Sequence, residues 1–227
     1  MATVAREGSW SISRAKRFLD VMASLVAILL LAPFIPFLAL MVKLSTKDSI
    51  IFTQQRAGRH GRLFTIFKFR TMKSCLTLEG NLAITVRGDP RITRLGAFLR
   101  RHKLDELPQF YNVLRGEMSL VGPRPKLPHH VGMEMPFRPG LTGAATLAFH
   151  REEEMLQLIP THELDGFYEN TVKPLKAWLD WEYMENATLF SDLALMIHTI
   201  IACIGFASEE PARAQIADTS DNPMTYL

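Results

Sequence analysis

Cysteine is scarce: Cys75 and Cys203 are the two in 227 residues. They lie far apart, in no metal-ligand spacing, and are too few for a disulfide framework. A reducing compartment is the plain reading, with both thiols as packing residues. Cations are scarce in the last third of the chain. Residues 152–227 hold three Lys/Arg against 14 Asp/Glu, whereas residues 1–151 hold 23 against nine. The formal charge of +3 is thus the remainder of a +14 part and a −11 part, and the division is the informative quantity. No nucleic-acid-binding motif accompanies the basic part, which argues against nucleic acid as a partner. The length suits one domain with a modest extra element, and the 48% apolar share excludes a disordered chain.

Charge is missing altogether between Asp20 and Lys43, across 22 residues from Val21 to Val42. A straight helix of that length would rise about 33 Å, enough to cross a hydrocarbon core of roughly 30 Å. The run is too long for a signal-peptide core and passes directly into Lys43-Leu-Ser-Thr-Lys47 without a cleavage site. Pro33 and Pro36 in its middle disfavour a straight helix. Arg14, Lys16 and Arg17 precede it and Lys43 and Lys47 follow it, so both flanks prefer the same, cytoplasmic side. A re-entrant helix-break-helix over 14–47, with the break at Ala32, Pro33 and Pro36, satisfies both observations. A Pro-kinked single span stays open as the alternative.

Short strands are expected next. Ile50–Arg56 and Arg62–Met72 bracket Ala57–Gly61, which reads as a hairpin turn. Alternation puts Lys68 and Arg70 on the face of Phe64 and Ile66, either as a solvated edge or as the floor of an anion site. Asp89-Pro90 reads as a helix start, with Ile92, Leu95, Phe98 and Leu99 as its apolar stripe. Leu107, Phe110, Tyr111 and Leu114 then recur at the spacing of a buried helix face, and Asp105 suits the N-cap of that helix.

Asp105 and Glu106 also admit a chemical reading. Adjacent helical residues point about 100° apart, so they are not a facing glycosidase pair. They can still serve one site, one as nucleophile and the other as base or metal ligand, and nearby arginines would keep both ionised. Downstream, Gly122-Pro-Arg-Pro125 follows the apolar Met118–Val121, and Phe137-Arg-Pro-Gly140 repeats the idea. In each, proline restricts the backbone beside an arginine whose planar fork suits phosphate oxygens. In the acidic part, Trp178, Trp181 and Tyr183 cluster, and Leu189, Leu193, Ile197, Ile200 and Ile201 form an apolar stripe expected to pack on the domain, with Trp/Tyr contact to membrane headgroups open as the alternative.

Six ordered motifs together resemble the small monotopic phosphoglycosyl transferases, also called bacterial sugar transferases or undecaprenyl-phosphate sugar-phosphate transferases. They are Lys16-Arg17-Phe-Leu-Asp20 before the Pro-broken run, Phe52-Thr-Gln-Gln-Arg56, Phe67-Lys-Phe-Arg-Thr-Met72, Leu104-Asp-Glu-Leu107, Asn112 to Pro125, and Arg138-Pro-Gly-Leu-Thr-Gly143. The resemblance runs from about Ser13 to Thr199. It implies an α+β protein in which the membrane hairpin precedes a small domain, with a short sheet and several helices at the membrane surface. The divisions expected are an arm over 1–13, the hairpin over 14–47, a catalytic domain over 48–205 and a flexible tail over 206–227. The implied reaction moves a sugar 1-phosphate from a UDP-sugar to undecaprenyl phosphate with Mg²⁺, releasing UMP, at the cytoplasmic face of the bacterial inner membrane. The resemblance makes Asp105 the nucleophile, Glu106 its assistant, and both of them metal ligands. Lys68, Arg70, Arg100, Arg124 and Arg138 become the phosphate-binding candidates.

The sequence departs from the family pattern in three places. Ala32-Pro33 replaces a frequent Ser-Pro at the break. Ala144-Ala-Thr-Leu147, followed by Phe149 to Glu154, replaces a Trp-Ala-Gln-Val-like run, so the sugar is not carried over. The acidic tail has no counterpart. A catalytically inactive membrane scaffold is the competing reading, against which the intact dyad argues, and a homo-oligomer is left open.

Overall fold

The computed structural model describes residues 9–73, 89–128, 135–149, 152–156 and 159–204; Cys75 and the tail lie outside these. Helix α1 (Arg14–Leu31) is capped by the Ser13 hydroxyl, which accepts from Lys16 N. A three-residue turn separates it from α2 (Ile35–Thr46), and the two axes are bent by 71°. Pro33 lies in the turn and Pro36 in the first turn of α2, where an N–H needs no helical partner. No single helix among the described residues is long and apolar enough to cross a membrane.

The hairpin forms as expected, with slightly shifted ends. Strand β1 (Ile51–Ala57) pairs antiparallel with β2 (Leu63–Phe69), matching Phe52 with Lys68 and Arg56 with Phe64. β2 stops at Phe69, and Met72 makes an isolated bridge to Ile92. The expected helix start at Asp89-Pro90 is a turn instead, because the Asp89 carboxylate accepts from the Arg91 backbone and guanidinium. Helix α3 (Arg94–Arg101) begins four residues later, where Thr93 caps Gly96 N. Leu99 is buried, but Phe98 is exposed beside His102. At Gly96 an added Cβ would sit 2.1 Å from the Thr71 carbonyl oxygen. Gly96→Ala should therefore lower stability by about 1–3 kcal/mol, measured by thermal unfolding, since backbone must move to admit one methyl.

Helix α4 (Gln109–Arg115) buries Gln109, Asn112 and Val113, while Tyr111 is exposed. The expected apolar stripe thus faces partly outward, because Asn112 supplies what the interior needs. Its Nδ2 donates to Thr65 O at 2.7 Å and to Glu117 Oε2 at 2.7 Å, and its Oδ1 accepts from Phe67 N. One amide thus stitches α4 to β2 with every polar atom partnered.

Strand β3 (Ser119–Val121) runs parallel to β4 (Gly140–Thr142). Beyond β4 come α5 (Ala144–Ala148), α6 (Glu152–Leu156), α7 (Thr161–Phe167), a π turn over Tyr168–Val172, α8 (Lys173–Asn186) and α9 (Leu189–Ile204). The main core joins Phe64 and Ile66 of β2 to Val113, Met118, Leu120, Val121 and Leu195. A second cluster joins Val42 of α2 to Phe69, Leu99, Leu104 and Leu107.

Two helices turn polar residues inward and large apolar residues outward. On α1 the buried positions are polar, Lys16, Asp20 and Ser24, spaced four residues apart. Asp20 accepts from Ser119 Oγ and Leu120 N, and Lys16 pairs with Asp192. The exposed positions are Phe18, Met22, Leu25, Val26, Leu29 and Leu30. On α9, Asp192, Leu195, Met196 and Thr199 face inward, where Asp192 meets Lys16 and Thr199 meets Thr142. The stripe expected to pack on the domain therefore points out: Leu193, Ile197, Ile200 and Ile201 are exposed, with Phe190 and Ile204 beside them. Periodicity identified the stripe, but partners for the polar residues decided which side went inside.

Candidate active site

The Asp105–Glu106 pair sits on a single 3₁₀ turn, Leu104–Glu106, between α3 and α4. Lys103 enters it at φ +54°, a left-handed conformation that is costly for a residue with a side chain. This reversal turns both carboxylates inward, where Asp105 and Glu106 are each less than a tenth exposed. Leu104 and Leu107 on either side are held in the cluster around Val42 and Leu99. Helix α4 starts at Gln109 behind Pro108, so Asp105 is not its N-cap, and the structural explanation for this aspartate falls away. Asp105 Oδ1 is buried with no hydrogen-bond partner.

Glu106 is differently placed. Its Oε1 lies 2.6 Å from Lys68 Nζ and 3.5 Å from an Arg124 guanidinium nitrogen. Lys68 arrives from β2 on the same face as Ile66, as alternation requires. Arg124 arrives from the Gly122–Pro125 loop, where its backbone N–H donates to Asp180 Oδ2 at 3.2 Å. The other Asp180 oxygen accepts from Ala145 N at 3.0 Å. One buried carboxylate on α8 thus ties the arginine loop to the start of α5.

Burial opposes ionisation of Glu106, but Lys68, Arg124 and Lys103 outweigh it and hold this carboxyl well below the usual range. For Asp105, burial and then repulsion from Glu106 push the carboxyl up, while Lys68, Lys103 and Arg100 pull the other way. The expected cationic surroundings act on both acids, but they outweigh burial only at Glu106; at Asp105 burial, and after it Glu106, leave the net shift upward. Two adjacent acids driven apart in this way suit different roles in one reaction.

A depression of about 260 Å³, open to solvent, adjoins Glu106 and is lined with it by Arg56, Lys68, Gln109, Arg124 and Gly140 among others, while Asp105 lies beside it and not in its lining. Arg56 was not anticipated here. Its Nη1 donates to Pro125 O, its Nε is buried without a partner, and burial followed by Arg124 brings it down to about 10. Asp180 was likewise missed. Arg56 belongs to the Phe52–Arg56 motif, but nothing in that motif points to its distant partner Pro125, 69 positions away, and no local pattern marks Asp180, whose partner Arg124 lies 56 positions away.

The other phosphate-binding candidates divide. Arg100 acts electrostatically on Asp105. Arg70 falls beyond the end of β2 and bonds Ser49 O, with Asp48 at 3.5 Å. Arg138 Nε donates to Gly116 O at 3.0 Å and stands beside Arg17 and Arg59 rather than the dyad. Among the described residues no group of three or more His, Cys, Asp or Glu could hold a metal ion by itself.

Comparison with known proteins sets this geometry in context. The family described as bacterial sugar transferase matches residues 11–205. The chain is 35% identical to the exopolysaccharide production protein PSS of Rhizobium leguminosarum bv. phaseoli, over 82% of this chain and 94% of that protein. It is 38% identical to the undecaprenyl-phosphate glucose phosphotransferase of Komagataeibacter xylinus, over 82% of this chain and 35% of that protein. A UDP-N-acetylgalactosamine-undecaprenyl-phosphate N-acetylgalactosaminephosphotransferase of Aeromonas hydrophila is 35% identical, over 82% and 42% respectively. The chain therefore spans nearly all of the first relative and less than half of the other two.

Proposed function

The chain belongs to the bacterial sugar transferase family, and on that premise we propose that it moves a sugar 1-phosphate from a UDP-sugar to undecaprenyl phosphate, releasing UMP. One observation carries this reading: a buried Asp105 oxygen with no partner, beside a Glu106 held ionised by Lys68 and Arg124. An Asp105 oxygen attacks the sugar-bearing phosphorus, forming an aspartyl phosphosugar as the bond to the UMP oxygen breaks. A phosphate oxygen of the polyprenol then attacks the same phosphorus, forming the diphosphate and releasing the Asp105 carboxylate. Both steps bring anions together, which Lys68, Arg124 and Arg56 make tolerable by lining the depression with cations. Asp180 holds the Arg124 backbone so that the guanidinium starts in place.

The donor set fits Mg²⁺, which is commonly held by one or two carboxylates and completed by substrate phosphates rather than by an all-protein cage. Asp105 and Glu106 would hold it, and bound there it would offset diphosphate charge.

The reversed faces of α1 and α9 support a membrane location. Helices that bury polar groups and expose Phe, Leu and Ile suit lipid rather than water, and the 71° bend suits a hairpin dipping into the cytoplasmic leaflet of the inner membrane. The depression then lies where a soluble nucleotide-sugar and a lipid phosphate can meet, an early step of exopolysaccharide assembly.

The test is UMP release from UDP-glucose, UDP-galactose and UDP-N-acetylgalactosamine with undecaprenyl phosphate and Mg²⁺. At least one donor should give lipid-dependent release. Release with none, from folded chain in detergent, would refute the reading.

A further inference from the structure

A second concentration of positive charge stands apart from the dyad. It comprises Arg17 of α1, Arg59 and Arg62 of the β1–β2 turn, and Arg138 just ahead of β4. Arg17 Nη2 donates to Leu114 O at 3.1 Å, Arg138 Nε to Gly116 O at 3.0 Å and Arg59 Nε to Pro136 O at 2.6 Å. The first two meet at the end of α4, where Gly116 takes φ +84° and a Cβ would sit 3.5 Å from Arg17 Nη2.

All these acceptors are neutral carbonyls. They orient the guanidiniums without cancelling their charge. Among the described residues none of the four arginines has a carboxylate within ion-pair distance, and Arg17 Nη1 is buried with no hydrogen-bond partner. The acids nearby are already engaged. Asp20 accepts from Ser119 and Leu120, and Glu117 from Arg115 and Asn112. The cations also repel one another: after burial, Arg138 and Arg62 are what hold Arg59 below its ordinary value, and on Arg17 burial and Arg138 outweigh the opposing pull of Asp20. Oriented forks with open donors, one of them buried, lack an anion.

Depth along α1 indicates which anion. From Arg17 to the break at Ala32 is 15 residues, or about 22 Å of helix. Half a bilayer with its headgroups is about 20–22 Å. Just past Arg17 the exposed face turns apolar with Phe18, Met22 and Leu25. A hairpin reaching the mid-plane puts Arg17 level with the lipid phosphates. We infer that Arg17, Arg59, Arg62 and Arg138 form a binding site for the phosphate of an anionic membrane lipid, separate from the dyad. This rests on the re-entrant membrane reading. It gives Arg138 a phosphate to hold, though not that of the donor.

The test uses the full chain. Flotation with vesicles of phosphatidylcholine alone is compared with vesicles containing added phosphatidylglycerol, and native mass spectrometry counts phosphatidylglycerol retained by detergent-extracted protein. Wild type should retain it and float better with the anionic vesicles. Arg59→Gln/Arg138→Gln, which removes two cations, should weaken retention roughly thirtyfold, at about a kilocalorie per lost surface cation. Arg62→Gln, which removes no bond to the fold, should weaken it less but measurably, and Lys173→Gln, elsewhere on the surface, should not. Equal flotation on both vesicles, or unchanged retention by the Arg59/Arg138 and Arg62 variants, overturns the site and leaves the membrane reading standing. Flotation with neither overturns both, while UMP release still reports on the chemistry independently. Displacement of the lipid by dilute glycerol phosphate would assign the site to a soluble anion and refute the lipid assignment.

Discussion

Asp105→Asn should abolish the covalent phosphosugar adduct and lower lipid-dependent UMP release by roughly 10⁴-fold or more, as loss of a nucleophile does. The same variant should unfold at an equal or higher temperature. Nothing in the fold bonds to Asp105 Oδ1, and burial with repulsion from Glu106 works against the charge, so a neutral amide of the same shape relieves a cost. Loss of activity with gain in stability is the signature of a group placed for chemistry. Glu106→Gln should behave otherwise and lose both, because Lys68 and Arg124 would be left facing a neutral group. Intact mass after mixing with a UDP-sugar, without lipid acceptor, reads the adduct, and thermal unfolding reads the fold. Full turnover by Asp105→Asn would end the nucleophile assignment.

The second large effect is on stability. Asp192 is buried on α9, where it pairs with Lys16, accepts from Trp10 Nε1 at 2.8 Å and from the Tyr183 hydroxyl at 2.8 Å. Asp192→Ala strands a buried ammonium and two donors, and should cost about 3–5 kcal/mol. Replacing both charges, as Lys16→Met/Asp192→Leu, should recover the part of that loss due to the stranded ammonium, and the part due to Trp10 Nε1 and the Tyr183 hydroxyl should remain. Denaturant midpoints of wild type, single and double variants measure this. A single variant as stable as wild type would mean that α1 is not fastened to α9 through this pair.

What could be read ahead of the structure depended on how far each residue's partner lies along the chain. The hairpin was legible because alternation and a turn are local. The dyad was legible because its neighbours in sequence also flank it in space. Lys68 joined it because alternation fixes a side chain's face on a strand. Asp105 as a helix cap was a local inference too, and it failed because Lys103 adopts a left-handed turn that postpones the helix to Gln109. Arg138 sits in a motif like that of Arg124, yet its guanidinium reaches back to Gly116 while that of Arg124 reaches Glu106. Equal local patterns led to different sites because the reach of an arginine exceeds the spacing between them. Asp180 and the orientation of α9 rested wholly on distant partners and left no local trace.

Leu104 and Leu107 share their apolar contacts with Val42, so the turn bearing Asp105 and the end of α2 are parts of one packed cluster. A variant without the first helices would leave Leu104 and Leu107 without the Val42 face on which they pack. Whatever loosens α2 therefore reaches the turn that carries Asp105 and Glu106, so the two cannot be handled as separable parts.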